Sequence, residues 1–238
     1  MIRVRTLGLA LVAVFAMSAA MASAAQAEEP FYKVGGARLG SGASKEIVGV
    51  KAKKSYILKA SIATVTCTAN SVKTGGTIKG SAAGAPGTSE ETIVYKGCTV
   101  VNNGSGCKVV KEEIETVAVK NTLVTNTAGT VIETLYTPVT GSVFTTTHYE
   151  GSCFIKEAKV EGSAAAEAWS GGAAVKIGSE PAEAKTGEVN FPATQIKEVL
   201  LKGVKTSVGL TFGGGAATLE GNSELKLSGE PVWGVYTK

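Results

Sequence analysis

Short runs of Val, Ile and Thr recur along this chain, each bounded by Gly or Asn, and nothing beyond the N-terminal segment sustains an apolar period of 3.6. β-Branched side chains crowd the preceding turn of a helix but sit well on a pleated surface. Runs of this kind between turn residues read as strands. Candidate strands cover 55–68, 77–80, 92–101, 114–124, 130–136, 142–149, 153–160, 173–177, 199–212, 217–227 and 232–236. Ile114, Thr116 and Ala118 fall on one face of such a strand, with Glu115, Val117 and Val119 on the other. Residues 194–201 (TQIKEVLL) fit a turn or two of helix as well as a strand. Many short antiparallel strands at turn spacing predict an all-β fold, an antiparallel β-sandwich first and a β-barrel as the alternative.

The N-terminus reads as an export signal. Arg3 and Arg5 precede an uncharged apolar stretch from Leu7 to Ala16, and Ala25-Gln26-Ala27 supplies the small residues of a cleavage site. Ala22-Ser23-Ala24 is an earlier alternative. The expected division is a signal peptide over 1–27 and a secreted β-rich domain over 28–238, with a weak point for any further cut near 162–190, where Ala and Gly dominate. The stretch is short for a bilayer core, which takes roughly 20 residues, and no transmembrane span is expected in the mature protein.

Four cysteines, Cys67, Cys98, Cys107 and Cys153, lie beyond the leader. An even count behind a signal implies two disulfides in an oxidising compartment, and spacing alone leaves three pairings open. The segment 97–107 looks like a hairpin turning at Asn103-Gly104, which favours Cys98 with Cys107 and leaves Cys67 for Cys153. The spacings do not match a zinc ribbon or finger.

Composition removes several chemistries. Removing Arg3 and Arg5 from the 24 basic residues leaves them nearly matched by 20 acidic ones, and Arg38 is then the one arginine left. No strongly basic face for nucleic acid is expected. The acidic residues are all Glu, so Asp-based calcium loops and a Ser-His-Asp triad are excluded. His148 is the single histidine and is expected on a strand or turn surface. No G-x-S-x-G elbow, P-loop or G-x-G-x-x-G occurs, and no catalytic residue, metal or cofactor is expected. Glu90-Glu91, Glu112-Glu113 and Glu115 are the carboxylates from which a glycosidase pair would be drawn. Lys45, Lys51, Lys53, Lys54 and Lys59 form a basic run that would meet an anionic polymer or simply keep a sheet edge soluble. Trp169, Trp233, Tyr136, Tyr149 and Tyr236 would serve as a sugar-stacking platform or as core. Residues 169–180 echo 212–224, an aromatic before glycines and then a strand, which either hairpin chemistry or duplication explains.

The run Val65-Thr66-Cys67, Thr74-Gly75-Gly76-Thr77-Ile78-Lys79-Gly80, Ile93-Val94-Tyr95-Lys96-Gly97-Cys98, Cys107 and Ile114-Glu115-Thr116 resembles a group of secreted, cysteine-paired β-rich proteins of high-GC Gram-positive bacteria. The resemblance covers about residues 60–165, with Cys153 similar to the last cysteine of the group. It implies export and stapled β-structure and carries no activity or binding site. The first functional expectation is therefore a secreted or cell-surface structural or adhesive protein without catalysis. A module binding carbohydrate or cell-wall polymer comes second, and a secreted hydrolase using a Glu pair third.

Overall fold

The computed structural model describes residues 29–180 and 183–237, so the expected leader over 1–27, with both cleavage sites, lies outside the described residues. Two strands run the length of the fold: β3 (Ser44–Ala60) and, near the C-terminus, β20 (Gly215–Leu227). Between them the chain goes up and down in next-neighbour order. Thr64–Val72 (β4) continues into Thr77–Lys79 (β5), and Thr88–Glu91 (β6) into Ile93–Val101 (β7). After Lys108–Val109 (β8) come Glu113–Glu115 (β9) and Val119–Asn126 (β10), then Ile132–Pro138 (β11) and Val143–Glu150 (β12). Glu157–Gly162 (β13) runs on as Ala164–Ser170 (β14), and a turn leads through Ala173–Ala174 (β15) to Thr186–Phe191 (β16). A hairpin of Glu198–Leu201 (β17) and Val204–Ser207 (β18) interrupts the path before Leu210–Phe212 (β19) returns it to β20.

The sheet closes into an eight-stranded barrel. Around the upper half the ladder runs β3, β5, β6, β10, β11, β14, β16, β20 and back to β3, every pair antiparallel. Around the lower half β4, β7 and β9 replace β5, β6 and β10, and β12, β13 and β19 replace β11, β14 and β16. Between β9 and β12 the wall is completed when the Val117 amide donates to the Phe144 carbonyl at 2.7 Å. The barrel alternative is thus observed in place of the expected sandwich. Pairing of β20 with β3 makes the difference: it joins the two edges that a sandwich would leave free.

Side-chain alternation follows from that closure. Ile47, Tyr56, Val65, Ile78, Leu123, Ile132, Val160, Phe212 and Leu227 are buried core residues. Lys51, Lys53, Lys59, Lys96, Lys120, Glu157 and Lys159 are exposed on the same strands. An apolar interior and charged exterior is the reverse of a lipid-facing barrel, whose outer belt is apolar. Among the described residues no helix is long and apolar enough to cross a membrane.

Both ends of the barrel are covered. Phe31–Val34 (β1), Ala37–Arg38 (β2) and the C-terminal Trp233–Tyr236 (β21) form a separate three-stranded sheet. Its Tyr32, Trp233 and Val235 pack in one buried cluster with Ile47, Ile78, Leu123 and Leu227 of the upper barrel. At the lower end the loops around 103 and 153 are tied together, with Asn103 Nδ2 donating to the Ile155 carbonyl at 3.1 Å and Asn103 Oδ1 accepting from the Ile155 amide at 2.9 Å.

The disulfides join Cys67 to Cys98 and Cys107 to Cys153, which corrects the pairing expected from the segment 97–107. Cys98 lies directly opposite Cys67 in the β4–β7 ladder, with the Cα atoms 4.0 Å apart. The chain beyond β7 does not turn back as a tight hairpin. It crosses the barrel floor, where Cys107 meets Cys153 on the neighbouring loop. Residues 194–201, open between helix and strand, form the loop into β17 and the whole of β17 itself, which pairs with β10 outside the barrel. Its Val199 packs with Val124, Leu135 and Ala165 in a small outer cluster. The segments 169–180 and 212–224, which echo each other in sequence, share a local turn geometry. Gly171-Gly172 and Gly213-Gly214 both turn with two positive φ angles, at 61° and 84° and at 58° and 81°, the two-residue turn that matches strand twist.

Non-reducing peptide mapping should recover the Cys67–Cys98 and Cys107–Cys153 links and no others. Chain-entropy arithmetic for loops of this length gives about 4 kcal/mol per bridge as an upper figure. Cys107→Ser with Cys153→Ser should therefore lower the urea midpoint clearly while leaving the far-UV β signal intact.

Candidate functional site

Glu91 is the feature of the interior that apolar packing does not explain. On β6 the period of two turns Ser89 and Glu91 toward the lumen and Glu90 outward, where Glu90 pairs with Lys79. Asn121 on β10 stands directly opposite Ser89. Its Nδ2 donates to Ser89 Oγ at 2.9 Å and to Glu91 Oε1 at 2.7 Å. Glu91 Oε2, Asn121 Oδ1 and Trp233 Nε1 are buried without a hydrogen-bond partner among the described residues. Burial pushes the Glu91 carboxyl up to about 7; the Asn121 bond opposes the shift, and no cation is among its causes.

Aromatic rings surround this carboxyl. The centroids of Tyr95 and Tyr56 are 5.1 Å apart, those of Tyr56 and Phe191 6.1 Å, and those of Phe191 and Tyr136 5.1 Å, forming a continuous arc around the waist of the barrel. The Tyr56 hydroxyl donates to Ser223 Oγ at 2.6 Å, and Ser223 in turn donates to Asn70 Oδ1 at 3.0 Å. Gly221 makes room for the Tyr56 ring, since a Cβ there would lie 2.5 Å from Cδ1. Tyr32 stands above, near Ser89. Burial raises the phenols of Tyr32, Tyr56, Tyr95 and Tyr136, and the Glu91 charge adds to each shift.

Three small chambers meet at this waist. The lower one, of about 80 Å³, is lined by Tyr56, Tyr95, Tyr136 and Phe191 above and by residues such as Val65, Phe144 and Leu210 below. A chamber of about 20 Å³ lies between those rings and Glu91. The upper one, of about 40 Å³, is bordered by Glu91, Asn121, Tyr32 and Trp233. An apolar pocket beside a few convergent polar groups is the usual form of a small-molecule site.

The other candidates fall elsewhere. His148 is exposed and 3.7 Å from Glu157. Glu112 and Glu113 are exposed, and Glu115 pairs with Lys73 at 2.6 Å on the outer wall. The lysine run follows β3, where Lys53 meets Glu188 at 2.9 Å. Trp169 faces outward with Nε1 donating to Glu167 Oε2 at 2.8 Å, whereas Trp233 and Tyr236 belong to the upper sheet and Tyr149 is buried near the floor. One carboxylate pair was not foreseen. Glu133 and Glu167 are cross-strand partners on the outer wall, and burial followed by the Glu167 charge raises Glu133 to about 7. They stand side by side in the plane of the sheet, not across a cleft. Among the described residues no group of His, Cys or Glu is arranged to hold a metal.

No protein-family model matches the chain, and no curated protein or solved structure matches it significantly.

The raised carboxyl has a testable consequence for stability. Glu91 loses its proton at the ordinary 4.5 when unfolded and near 7 when folded. Between those values the folded chain holds more protons, so its stability falls as pH rises, by about 1.4 kcal/mol per unit and about 3 kcal/mol in all. The contribution is fully present below 4.5 and gone above 7. Urea midpoints should drop between pH 5 and pH 8, and Glu91→Gln should remove about half of that drop, leaving the share of Glu133. An unchanged pH slope in the variant would contradict the burial of Glu91.

Proposed function

We propose that this chain is an extracytoplasmic binding protein that holds one small, largely apolar molecule inside its barrel. The observation that carries the reading is the apolar chamber of about 80 Å³ beside a buried carboxyl whose Oε2 has no partner among the described residues. Eight strands leave an interior that side chains just fill or that takes one small ligand. Here the side chains stop short of filling it. The lower chamber alone, at about 80 Å³, is roughly half of the about 150 Å³ of an engineered apolar cavity that accepts benzene, so a ring-sized occupant would need the neighbouring side chains to give way slightly. Two disulfides are compatible with an extracellular location, and the leader expected over 1–27 supplies the route.

A purely structural or adhesive role, the first expectation from the sequence, has no use for such a carboxyl. A scaffold is often no less stable with apolar residues in place of buried ionisable ones. Glycan or wall-polymer binding is supported by a different feature: the outward Trp169, Glu167 and Asn190 lie together, with Asn190 Nδ2 donating to Glu167 Oε2 at 3.3 Å. Trp169→Ala would weaken retention on purified cell walls if the outer face binds glycan, whereas Ala164→Leu, in the lower chamber, would leave that retention as it is.

The lumen reading is tested by titrating the folded, oxidised protein with benzene, toluene and indole by calorimetry. Saturable binding of one molecule per chain is expected. Ala164, a buried residue lining the lower chamber, is the place to fill the space: Ala164→Leu should abolish binding while the protein stays folded by circular dichroism. If the filled variant binds as the parent does, the ligand is not in the lumen.

A further inference from the structure

We infer that the molecule this lumen accepts is an organic amine in its ammonium form, the cation meeting Glu91 within the aromatic arc and the apolar body lying in the lower chamber. The inference rests on the lumen-binding reading above and narrows it to one ligand class.

The polar atoms left over at the waist set the requirement. With the carboxyl ionised, Glu91 Oε2 and Asn121 Oδ1 are both acceptors, and both lack a partner among the described residues. A neutral alcohol brings one donor, a carboxylate none, and a primary ammonium three. The ammonium alone also supplies the charge that a buried carboxylate lacks. An unpaired ion in such a site is costly, whereas a paired and hydrogen-bonded one is tolerated. Trp233 Nε1, the unpartnered donor of the upper chamber, suits an oxygen held beside the cation.

The rings make the same selection independently. Tyr56, Tyr95 and Tyr136 border both the lower chamber and the small one that holds Glu91, and Phe191 completes the arc. Ring faces carry negative potential and attract a cation within about 6 Å, more strongly when water is excluded. Aromatic cages around a carboxylate therefore favour ammonium over a neutral isostere of the same shape. The lower chamber, walled by Val65, Leu58, Phe144, Val160 and Leu210, has no charged residue in its lining and suits a hydrocarbon body. Burial also holds Glu91 near 7, so at pH 7 an arriving ammonium expels a proton from the fraction of molecules that carry one.

The test uses four probes of one shape: benzylamine, benzyl alcohol, toluene and benzoate, titrated calorimetrically into the oxidised protein at pH 8. Benzylamine is expected to bind at least about tenfold more tightly than the alcohol, the margin a desolvated cation–aromatic contact supports, with benzoate weakest. Glu91→Gln should reduce benzylamine to the level of the alcohol. A second measurement needs no variant: at pH 7, benzylamine binding measured in two buffers of different ionisation heat should release protons, and benzyl alcohol binding should not. Equal affinity for amine and alcohol, or an amine affinity that Glu91→Gln leaves unchanged, would overturn the amine inference while leaving the lumen reading intact. Failure of all four probes to bind would remove both.

Discussion

Everything in this molecule depends on the ladder between β3 and β20. These are the first and last strands of an up-and-down path, and without their pairing the sheet would be open, with two long edges and no lumen. The ladder is not regular. Its register shifts around Glu220, Asn222 and Lys226, and such irregularities bend strands and increase twist. A curved sheet closes; a flat one does not. The disulfides act at the lower half of this closed wall, one within it and one across its floor.

Closure also determines what the interior must contain. An eight-stranded ring has little room, and small residues such as Ala158, Ala164, Ala166 and Ala217 stand among the aromatics where the wall turns inward. Large rings at the waist and small residues beside them leave gaps instead of a solid core. Glu91 enters that space only because β6 alternates, and the side chain one position away finds Lys79 in solvent. Two consecutive glutamates thus take opposite environments, and burial pushes the inner carboxyl up to about 7.

Strand content and the presence of two disulfides were legible in the sequence, because β-branched runs, glycine turns and an even cysteine count act locally. Barrel against sandwich was not, since both use the same strands and differ only in whether residues near 50 meet residues near 225. The cysteine pairing failed for a related reason. Asn103-Gly104 does sit in a turn region, yet Cys98 belongs to a ladder with Cys67, which no short-range pattern reveals. Of the site, Tyr136 and the Glu90-Glu91 dipeptide were singled out, but Thr88-Ser89-Glu90-Glu91 is polar on both faces, so no periodicity says which glutamate turns inward. Tyr56 and Tyr95 carried no signal beyond being aromatic on strands. The outer pair Glu133 and Glu167 joins strands through register alone.

The small upper sheet places β1 against β21, pairing Phe31 with Tyr236 and Val34 with Trp233. Its first and last strands are therefore separated by nearly the whole described chain, which makes it the most non-local contact of the fold. Contacts of that kind form late, because the entropy of joining distant segments must be met before they contribute. The barrel wall can be complete while its top still lies open to solvent. The last seam of the top to close is thus the one between β1 and β21, so the upper end of the barrel is fixed by two strands that are not neighbours in sequence.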